Sequence, residues 1–268
     1  MHFKRFFKFK PNNNSLFIIF NDKKVLFDLE EKTFIFDEAY LNFENYDLEI
    51  IGIAEDEGKN IYAVDITTSN FNYKEQGYKS LIDYDLRFIL TSLSNNEINL
   101  IGRANQLLHW IKSNKYCGYC GSAKKFNDEE QALFCDCNKI MIYPSISPCV
   151  LALIQKGNQI LLARNALFPE GLFSALAGFI EVSETAEETI EREIFEEVSL
   201  KVKNIKYFGS QSWPFPSQLM LAYTCEFDSG EIEVDGQEIV EAKWFDLNNL
   251  PNIPPNSTLS GRLINSCI

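Results

Sequence analysis

The chain has 268 residues, enough to bury a substantial core in one large domain or two smaller ones. Hydrophobic residues make up 46% of it and charged residues 24%, as in ordinary globular proteins. The formal net charge of -13 argues against a broad basic surface for gripping nucleic acid. It does not exclude binding of a dinucleotide, because metal ions can neutralise the phosphates locally.

The first ten residues, MHFKRFFKFK, are basic and aromatic and raise the question of a targeting segment. The apolar run that follows, Leu16 to Phe20, has only five residues. A secretory segment has a longer apolar region, and a membrane helix needs about 20 apolar residues. We therefore expect a first strand with scattered surface lysines, no membrane association and a cytoplasmic location.

Residues 1–99 are predicted to form a β-rich N-terminal domain. Short apolar runs are separated there by Asn, Asp and Gly clusters, a pattern typical of strands joined by turns. The clearest runs are Ser15 to Phe20, Val25 to Leu29 and Ile61 to Ile66. Residues 100–113 place Leu107, Leu108 and Ile111 at helical spacing, which predicts a helix leading into the cysteine-rich segment.

Seven cysteines are present, and an odd count favours metal binding or free thiols over a disulfide framework. Four of them form two pairs, Cys117-x-x-Cys120 and Cys135-x-Cys137, separated by a polar stretch. Paired knuckles of this kind hold a structural zinc ion between four thiolates. The second pair is one residue shorter than usual, so reduced core cysteines or a degenerate site are the alternatives. We predict a linker helix and a zinc ribbon over residues 100–145.

Residues 146–268 are predicted to form a third domain, which contains the catalytic signals. Continuous apolar runs typical of buried strands are separated here by turns. The predicted strands are Cys149 to Ile154, Gln159 to Ala163, Ile205 to Phe208, Leu219 to Phe227 and Ala242 to Asp246. Between the second and the third of them, Ser183 is a candidate cap for a helix from Glu184 to about Val198.

The strongest chemical signal is a set of glutamates on this helix. Glu193, Glu196 and Glu197 stand at positions i, i+3 and i+4, which places all three on one face. Adjacent carboxylates repel one another unless cations bind them, and oxygen ligands of this kind suit Mg²⁺ or Mn²⁺. A solvated acidic face is the alternative for any Glu-rich helix.

The spacing around these glutamates resembles the Nudix box, G-x5-E-x7-R-E-U-x-E-E-x-G-U, in which U is a bulky aliphatic residue. Eight of its nine fixed positions match, namely Gly178, Glu184, Arg192, Glu193, Ile194, Glu196, Glu197 and Leu200. Ser199 stands where the box has its second glycine, a departure that concerns the turn leaving the helix more than the chemistry. The resemblance predicts hydrolysis of a nucleoside diphosphate linked to another group.

The segment from Ser210 to Gln218 resembles SQPWPFPxS, the signature that follows the box in NADH pyrophosphatases of the bacterial NudC type. Ser212 replaces a proline, and the last serine is displaced by one residue. A proline-stiffened loop that displays Trp213 and Phe215 suits binding of a flat ring. The alternative is a hydrophobic loop that covers the core.

The resemblance to this branch of the Nudix family extends from about residue 100 to residue 264 and includes Tyr143-Pro144. It implies an α+β fold: a Nudix α/β/α sandwich with a mixed sheet, preceded by the zinc-ribbon segment and the β-rich N-terminal domain. The implied reaction cleaves the diphosphate of NAD(H) into nicotinamide mononucleotide and AMP. Mg²⁺ or Mn²⁺ is the implied cofactor, and a homodimer the implied assembly.

Positions that match the family's motifs name the expected site. The ligands of Mg²⁺ or Mn²⁺ would be Glu193, Glu196, Glu197, Glu238 and the backbone carbonyl of Ala177. The substrate would contact Tyr143, Phe179, Gln211, Ser212, Trp213, Pro214, Phe215, Pro216, Ser217 and Gln218, with Lys79, Glu130 and Ser260 at further positions. Tyr143 and Phe179 would stack on the nicotinamide.

The expected mechanism is attack of water on one phosphorus of the diphosphate, assisted by the metal ions. Glu193, Glu196 and Glu197 would be the catalytic residues, with Glu197 positioning or deprotonating the water. Arg192 would pair with Glu184 rather than touch the substrate. Three alternatives stay open: removal of an NAD cap from RNA, a nucleotide-binding regulator without catalysis, and hydrolysis of another dinucleotide such as ADP-ribose or a diadenosine polyphosphate.

Overall fold

The structure is a computed structural model that describes residues 11–12, 14–37, 48–71, 73, 80–86, 93–137 and 139–268. It divides into two compact units. The first contains the described residues up to Ser145 together with Pro214–Pro216, and the second contains Ile146–Trp213 and Ser217–Ile268. Lys79, an expected substrate contact, lies outside the described residues. None of the helices in the described part is long and apolar enough to cross a membrane.

A six-stranded sheet is the framework of the first unit, as far as its described residues show. Its strands are β1 (Ser15–Asn21), β2 (Lys24–Asp28), β3 (Phe36–Asp37), β4 (Glu49–Asp56), β5 (Lys59–Asp65) and β6 (Leu81–Asp85). They run in the order β4-β5-β1-β2-β6, and β3 pairs with β1. The three apolar runs expected in this region are strands β1, β2 and β5, which confirms its β-rich character.

Alternating side chains of β1 enter two hydrophobic cores, one on each face of the sheet. Ile18 and Phe20 pack in the core that also contains helix α1 (Asn95–Ser113). Phe17 and Ile19 pack in the other core. The side chains of this strand are therefore almost all buried, as its continuous apolar run indicates.

Helix α1 begins at Asn95 rather than at the predicted residue 100. The carboxylate of Glu97 accepts a hydrogen bond of 2.9 Å from the backbone N–H of Ser94, which satisfies a donor at the start of the helix. The helix packs on β1, β4 and β5 of the sheet. Beyond it, a small antiparallel sheet follows, formed by β7 (Lys125–Asn127), β8 (Ala132–Phe134) and β9 (Met141–Ile142).

The second unit is built on a mixed sheet. Its strands are β10 (Ser147–Lys156), β11 (Gln159–Asn165), β12 (Leu176–Phe179), β13 (Leu200–Trp213), β14 (Gln218–Gly230) and β15 (Ile239–Asp246). They run in the order β13-β14-β10-β11-β15, and β12 pairs with β10. Strands β10 and β14 are parallel, whereas the other pairs are antiparallel. Each strand predicted for this part of the sequence lies within one of these strands.

Two helices cover the opposite faces of this mixed sheet. On one face, Ile154 of β10 packs in the core that contains Ile190 and Ile194 of α2 (Ala186–Val198). On the other, Leu153 packs with residues of α3 (Leu259–Asn265). The predicted α+β class and the α/β/α sandwich with a mixed sheet are thereby confirmed.

The predicted start of α2 was wrong by two residues. The helix begins at Ala186, and its cap is Thr185 rather than Ser183. The N–H of Thr185 donates to the Glu188 carboxylate at 2.8 Å, and Glu188 N–H donates back to the threonine hydroxyl at 3.3 Å. Ser183 instead has a φ of 75°, a turn conformation that excludes it from the cap. Glu184 therefore precedes the helix.

Candidate active site

Arg192 of α2 ties the helix to the segment that precedes it. Its Nε donates to Glu184 Oε1 at 2.6 Å and its Nη2 donates to Glu184 Oε2 at 2.8 Å, a bidentate pair. Nη2 also donates to the backbone oxygen of Phe179 at 3.0 Å. The guanidinium lowers the pKa of Glu184 to about 2. The predicted pairing of Arg192 with Glu184 is confirmed, and it fixes the loop between β12 and α2.

The same arginine contacts two of the three glutamates on the helix face. Nη1 of Arg192 lies 2.9 Å from Glu193 Oε1 and 3.0 Å from Glu196 Oε2. These contacts partly offset the repulsion that the i, i+3 spacing brings about. Burial still raises the pKa of Glu193, whereas the side chain of Glu196 is exposed.

Glu197 is the most deeply placed of the helix glutamates. It is 5% exposed, and its Oε2 is buried without a hydrogen-bond partner among the described residues. Burial raises its pKa to about 8, and the charges of Glu193, Glu238, Asp235 and Glu196 add to that effect. A buried carboxylate oxygen that faces other carboxylates is costly unless a cation binds it. A divalent cation bound here would supply the partner that this oxygen lacks.

Glu238 reaches the helix from the loop before β15. Its Oε1 accepts a hydrogen bond of 3.3 Å from the side-chain amide of Asn165, and its backbone oxygen accepts one of 2.9 Å from Ala166. Its N–H donates to Asp235 at 2.9 Å, and Asp235 N–H donates to the backbone oxygen of Glu197 at 3.2 Å, so the expected fourth carboxylate belongs to a loop attached to the end of α2. Sequence reasoning missed Asn165, for which no local pattern is a signal.

Strand β12 meets the glutamate face at Gly178, and the backbone oxygen of the next residue, Phe179, accepts the hydrogen bond from Arg192. The strand pairs with β10, so that Ala177 lies opposite Leu151. A Cβ added at Gly178 would overlap the side chain of Glu193. The first glycine of the box is therefore required by close approach of a carboxylate, not by an unusual backbone conformation.

We expect Gly178→Ala to displace the Glu193 carboxylate without unfolding the protein, because a flexible side chain can move aside. Loss of one well-placed ligand is expected to weaken Mn²⁺ binding by about 10-fold. Titration of free Mn²⁺ by electron paramagnetic resonance measures this affinity. Gly209→Ala is the matched control, since a Cβ there meets no atom of the described part of the chain within 4 Å. Equal Mn²⁺ affinity in the two variants would contradict the prediction.

The donor set of the glutamate face fits Mg²⁺ or Mn²⁺, which prefer carboxylate and carbonyl oxygens. Glu193, Glu196, Glu197 and Glu238 supply the carboxylates, and Ala177 lies next to Gly178 on β12. The carboxylate oxygens of these four glutamates lie farther from one another than the ligand atoms of a metal site that is already formed. Among the described residues, the cysteine cluster is the one group of metal-binding side chains whose ligand atoms all lie within 4.8 Å of one another.

Two expected substrate contacts of the second unit already have partners inside the protein. Gln211 donates to the Ser257 backbone oxygen at 3.0 Å and accepts from Leu259 N–H at 2.7 Å, which holds the start of α3. Ser260 is buried, with its hydroxyl 2.7 Å from that of Ser174. Both roles in substrate binding stay predictions. Phe179 is 49% exposed and is accessible to a ring.

The segment from Ser210 to Gln218, which was expected to form an aromatic loop, is a loop only in part. Residues 210–213 continue β13, Gln218 begins β14, and the turn between the strands contains Pro214 to Ser217. Pro214 is buried, with its oxygen 2.7 Å from the amide of Asn105 on α1. Phe215 packs against the core of the first unit. Ring binding by Trp213 and Phe215 stays a prediction, and the covering role is observed for Phe215.

Two further expected contacts lie next to the strands of the small sheet, Glu130 in the turn between β7 and β8 and Tyr143 directly after β9. The hydroxyl of Tyr143 donates to Glu130 Oε2 at 2.9 Å, so the structure brings these two residues together. Tyr143 is 50% exposed. Its stacking on the nicotinamide stays a prediction.

The four clustered cysteines form a site with the dimensions of a tetrahedral metal centre. Cys117 and Cys137 sulfurs are 3.6 Å apart, and those of Cys120 and Cys135 are 3.5 Å apart. Four sulfurs at about 2.3 Å from zinc are separated by about 3.8 Å. The N–H of Ser122 lowers the pKa of Cys120 to about 6, whereas the neighbouring Cys120 raises the pKa of Cys137. Four thiolates cannot coexist there without a cation, so the donor set fits zinc.

Comparison with known proteins shows which family the sequence resembles. The family model described as NUDIX domain matches residues 145–265. NAD-capped RNA hydrolase NudC of Pseudomonas syringae pv. syringae is 42% identical over 165 residues, which are 62% of this chain and 59% of that protein. The chain thus spans less than two thirds of the length of this relative.

A second relative, NAD-capped RNA hydrolase NudC of Escherichia fergusonii, is 40% identical over 190 residues, which are 71% of this chain and 70% of that protein. A crystal structure of a NUDIX hydrolase from Nitrosomonas europaea aligns with a TM-score of 0.44 and 24% identity, covering 51% of this chain and 80% of that one. The match at 40% identity to more than two thirds of the Escherichia fergusonii protein shows that the chain belongs to the Nudix hydrolase family, in its NudC-type branch.

Proposed function

We propose that the protein is a metal-dependent NAD(H) diphosphatase, which hydrolyses NADH or NAD⁺ to nicotinamide mononucleotide and AMP. The observation that carries the proposal is the buried Oε2 of Glu197, which has no hydrogen-bond partner among the described residues and lies beside three further carboxylates. Such a site is costly in a metal-free protein and useful in one that binds divalent cations at a diphosphate. Two curated relatives bear the name NAD-capped RNA hydrolase, and that cap contains the same diphosphate.

The metal ligands in this proposal are Glu193, Glu196, Glu197 and Glu238, with Ala177 as a backbone ligand. Bound Mg²⁺ or Mn²⁺ supplies charge that screens the diphosphate and acidifies a coordinated water. Arg192 holds Glu193 and Glu196 in position and braces the loop through Glu184.

Glu197 is the proposed base. It is 5% exposed, and its Oε2 has no hydrogen-bond partner among the described residues, so this oxygen is available to accept a proton from water. The oxygen of that water forms a bond to one phosphorus, and the bond from that phosphorus to the bridging oxygen breaks. The two phosphate groups leave on nicotinamide mononucleotide and on AMP. Phe179, which is half exposed next to the glutamate face, would stack on the nicotinamide.

Incubation of the purified protein with NADH and Mn²⁺, followed by chromatography of the products, tests the proposal. We expect AMP and reduced nicotinamide mononucleotide in equal amounts, and no product without a divalent cation. Binding of NADH without cleavage under either Mg²⁺ or Mn²⁺ would overturn the proposal and favour a non-catalytic regulator. Cleavage of ADP-ribose or a diadenosine polyphosphate in preference to NADH would replace the substrate but keep the chemistry.

A second candidate function is removal of the NAD cap from RNA, and one local feature favours it. Residues 112–125 contain four lysines and no acidic residue, in a chain with a net charge of -13. Lys112 and Lys125 pair with aspartates. The backbone N–H of Lys124 donates to the oxygen of Lys115 at 2.9 Å, so these two lysines lie on paired segments. Tyr116 and Tyr119 are 61% and 81% exposed next to them. Lysines with exposed aromatic rings suit the phosphates and bases of a single strand.

We expect the double variant Lys115→Ala, Lys124→Ala to lower kcat/KM for NAD-capped RNA but not for NADH. Neither lysine makes an ion pair with another described residue, so the fold should not change. The slope of log kcat/KM against log salt concentration should fall by about 0.7 for each lost phosphate contact. Lys23→Ala with Lys24→Ala, two exposed lysines of the same unit, is the control. An equal loss in both double variants would exclude a specific RNA contact.

We further propose that the cysteine cluster holds a structural zinc ion. Thiolates of this kind persist in a reducing compartment, which supports a cytoplasmic location.

We also propose that the protein is a homodimer. Light scattering at several protein concentrations tests the assembly, and a mass of 30.8 kDa, that of a single chain, would contradict it.

A further inference from the structure

The loop between β14 and β15, which carries Glu238, is organised around the carboxylate of Asp235. Asp235 Oδ2 accepts hydrogen bonds from the N–H groups of Gln237 at 3.3 Å and Glu238 at 2.9 Å. Its Oδ1 accepts one from Ile239 N–H at 2.8 Å. These donors, that of Glu238 first, lower the pKa of Asp235. Both oxygens are thus engaged with the backbone of the residues around Glu238, in a turn that an Asp-Gly pair favours.

Backbone hydrogen bonds attach the same loop to the last turn of α2. The N–H of Asp235 donates to the backbone oxygen of Glu197 at 3.2 Å, and that of Glu233 donates to the backbone oxygen of Val198 at 3.2 Å. These bonds satisfy carbonyl groups that the end of a helix leaves open. Asp235 therefore links Glu197 to Glu238. Its N–H donates to the backbone oxygen of Glu197, and its side chain accepts from the backbone N–H of Glu238.

Asn165 holds Glu238 from the other side. It lies at a register shift between β11 and β15, where it pairs with Ile239. Its amide nitrogen donates to Glu238 Oε1 at 3.3 Å, while its amide oxygen accepts from Leu167 N–H at 2.9 Å. Because the second bond fixes the orientation of the amide, the first directs the carboxylate of Glu238.

We propose that Asp235 and Asn165 are positioning residues that hold Glu238 in place to bind a divalent cation together with Glu197. The inference rests on the proposed function, because it takes Glu238 as a metal ligand. We assign Asp235 to positioning rather than to direct ligation because its oxygens already accept three backbone hydrogen bonds. Residues that orient metal ligands typically change metal affinity by about 10- to 100-fold when they are replaced.

The test measures Mn²⁺ binding by electron paramagnetic resonance, on the full chain and without substrate. Asp235→Ala is expected to weaken binding by about 10-fold, and Asn165→Ala to weaken it in the same direction. Glu233→Ala removes the same charge from the same loop, and its side chain makes no hydrogen bond or ion pair with the described residues. A similar loss in Glu233→Ala would show that charge alone matters and would overturn the inference.

A double-variant cycle distinguishes positioning from direct ligation. If Asp235 acts through Glu238, then Asp235→Ala combined with Glu238→Gln binds Mn²⁺ as weakly as Glu238→Gln alone. Losses that multiply in the double variant would overturn the inference, as would unchanged affinity in Glu238→Gln. Asp235→Asn, which keeps one acceptor oxygen, repeats the cycle if the alanine variant does not fold. Failure to cleave NADH would count against the proposed function alone, because the metal affinity is measured without it.

Discussion

Glu197→Gln is expected to lower the turnover of NADH by about 100-fold or more, the effect of removing a catalytic base. The substitution keeps the size of the side chain, which is 5% exposed, and removes its charge. An amide accepts no proton from water and is a poor ligand for Mg²⁺ or Mn²⁺. Initial rates of AMP formation with saturating NADH and Mn²⁺ measure the loss.

Glu191→Gln is the matched control, because it removes the same charge from an exposed position of the same helix. Its turnover should stay close to that of the unaltered protein. Turnover within a few-fold of normal in Glu197→Gln would remove Glu197 from the chemistry and leave the base among the other carboxylates.

The stability of the metal-free protein supplies a second result for Glu197→Gln. An unfolded glutamate ionises near pH 4.5, whereas burial raises the pKa of Glu197 to about 8. Between these values the folded state binds more protons than the unfolded state, so Glu197 lowers the free energy of unfolding as pH rises. The glutamine variant lacks this effect. Its stability relative to the unaltered protein should therefore increase from pH 4.5 to about 8 and then level off.

The glutamate face of α2 could be predicted from the sequence because helix geometry is local. The i, i+3, i+4 spacing brings Glu193, Glu196 and Glu197 together whatever surrounds the helix. The start of the helix was less certain, since Ser183 and Thr185 are both good caps. The choice between them depends on the turn at Ser183, which spacing does not reveal.

The remaining parts of the site depend on contacts between distant residues. Glu238 lies far from the helix in the sequence, in the loop that follows β14, and family resemblance rather than periodicity pointed to it. Asp235 carries a turn signal, but the hydrogen bond from its N–H to Glu197 links it to another element. Likewise, no sequence pattern predicts that Gln211 and Ser260 have hydrogen-bond partners inside the protein.

Cys120→Ser is expected to abolish binding of one zinc ion per chain and to unfold the ribbon that contains the cluster. The strands β7, β8 and β9 have three, three and two residues, too few to form a stable sheet by themselves. Structural zinc contributes about 10 kcal/mol or more to the folding of small domains of this kind. Elemental analysis by mass spectrometry gives the zinc content, and thermal unfolding gives the loss of stability.

Cys267→Ser is the control, because this half-buried cysteine lies outside the cluster and should leave the zinc content unchanged. The shortened second knuckle makes the experiment decisive for Cys135-x-Cys137. If all four sulfurs bind the ion, Cys137→Ser must lose zinc as completely as Cys120→Ser, since a three-sulfur site leaves a ligand position open to water and chelators. Zinc retained in Cys137→Ser but lost in Cys120→Ser would mean that Cys137 is not a ligand, and that the closeness of its sulfur to Cys117 has another cause.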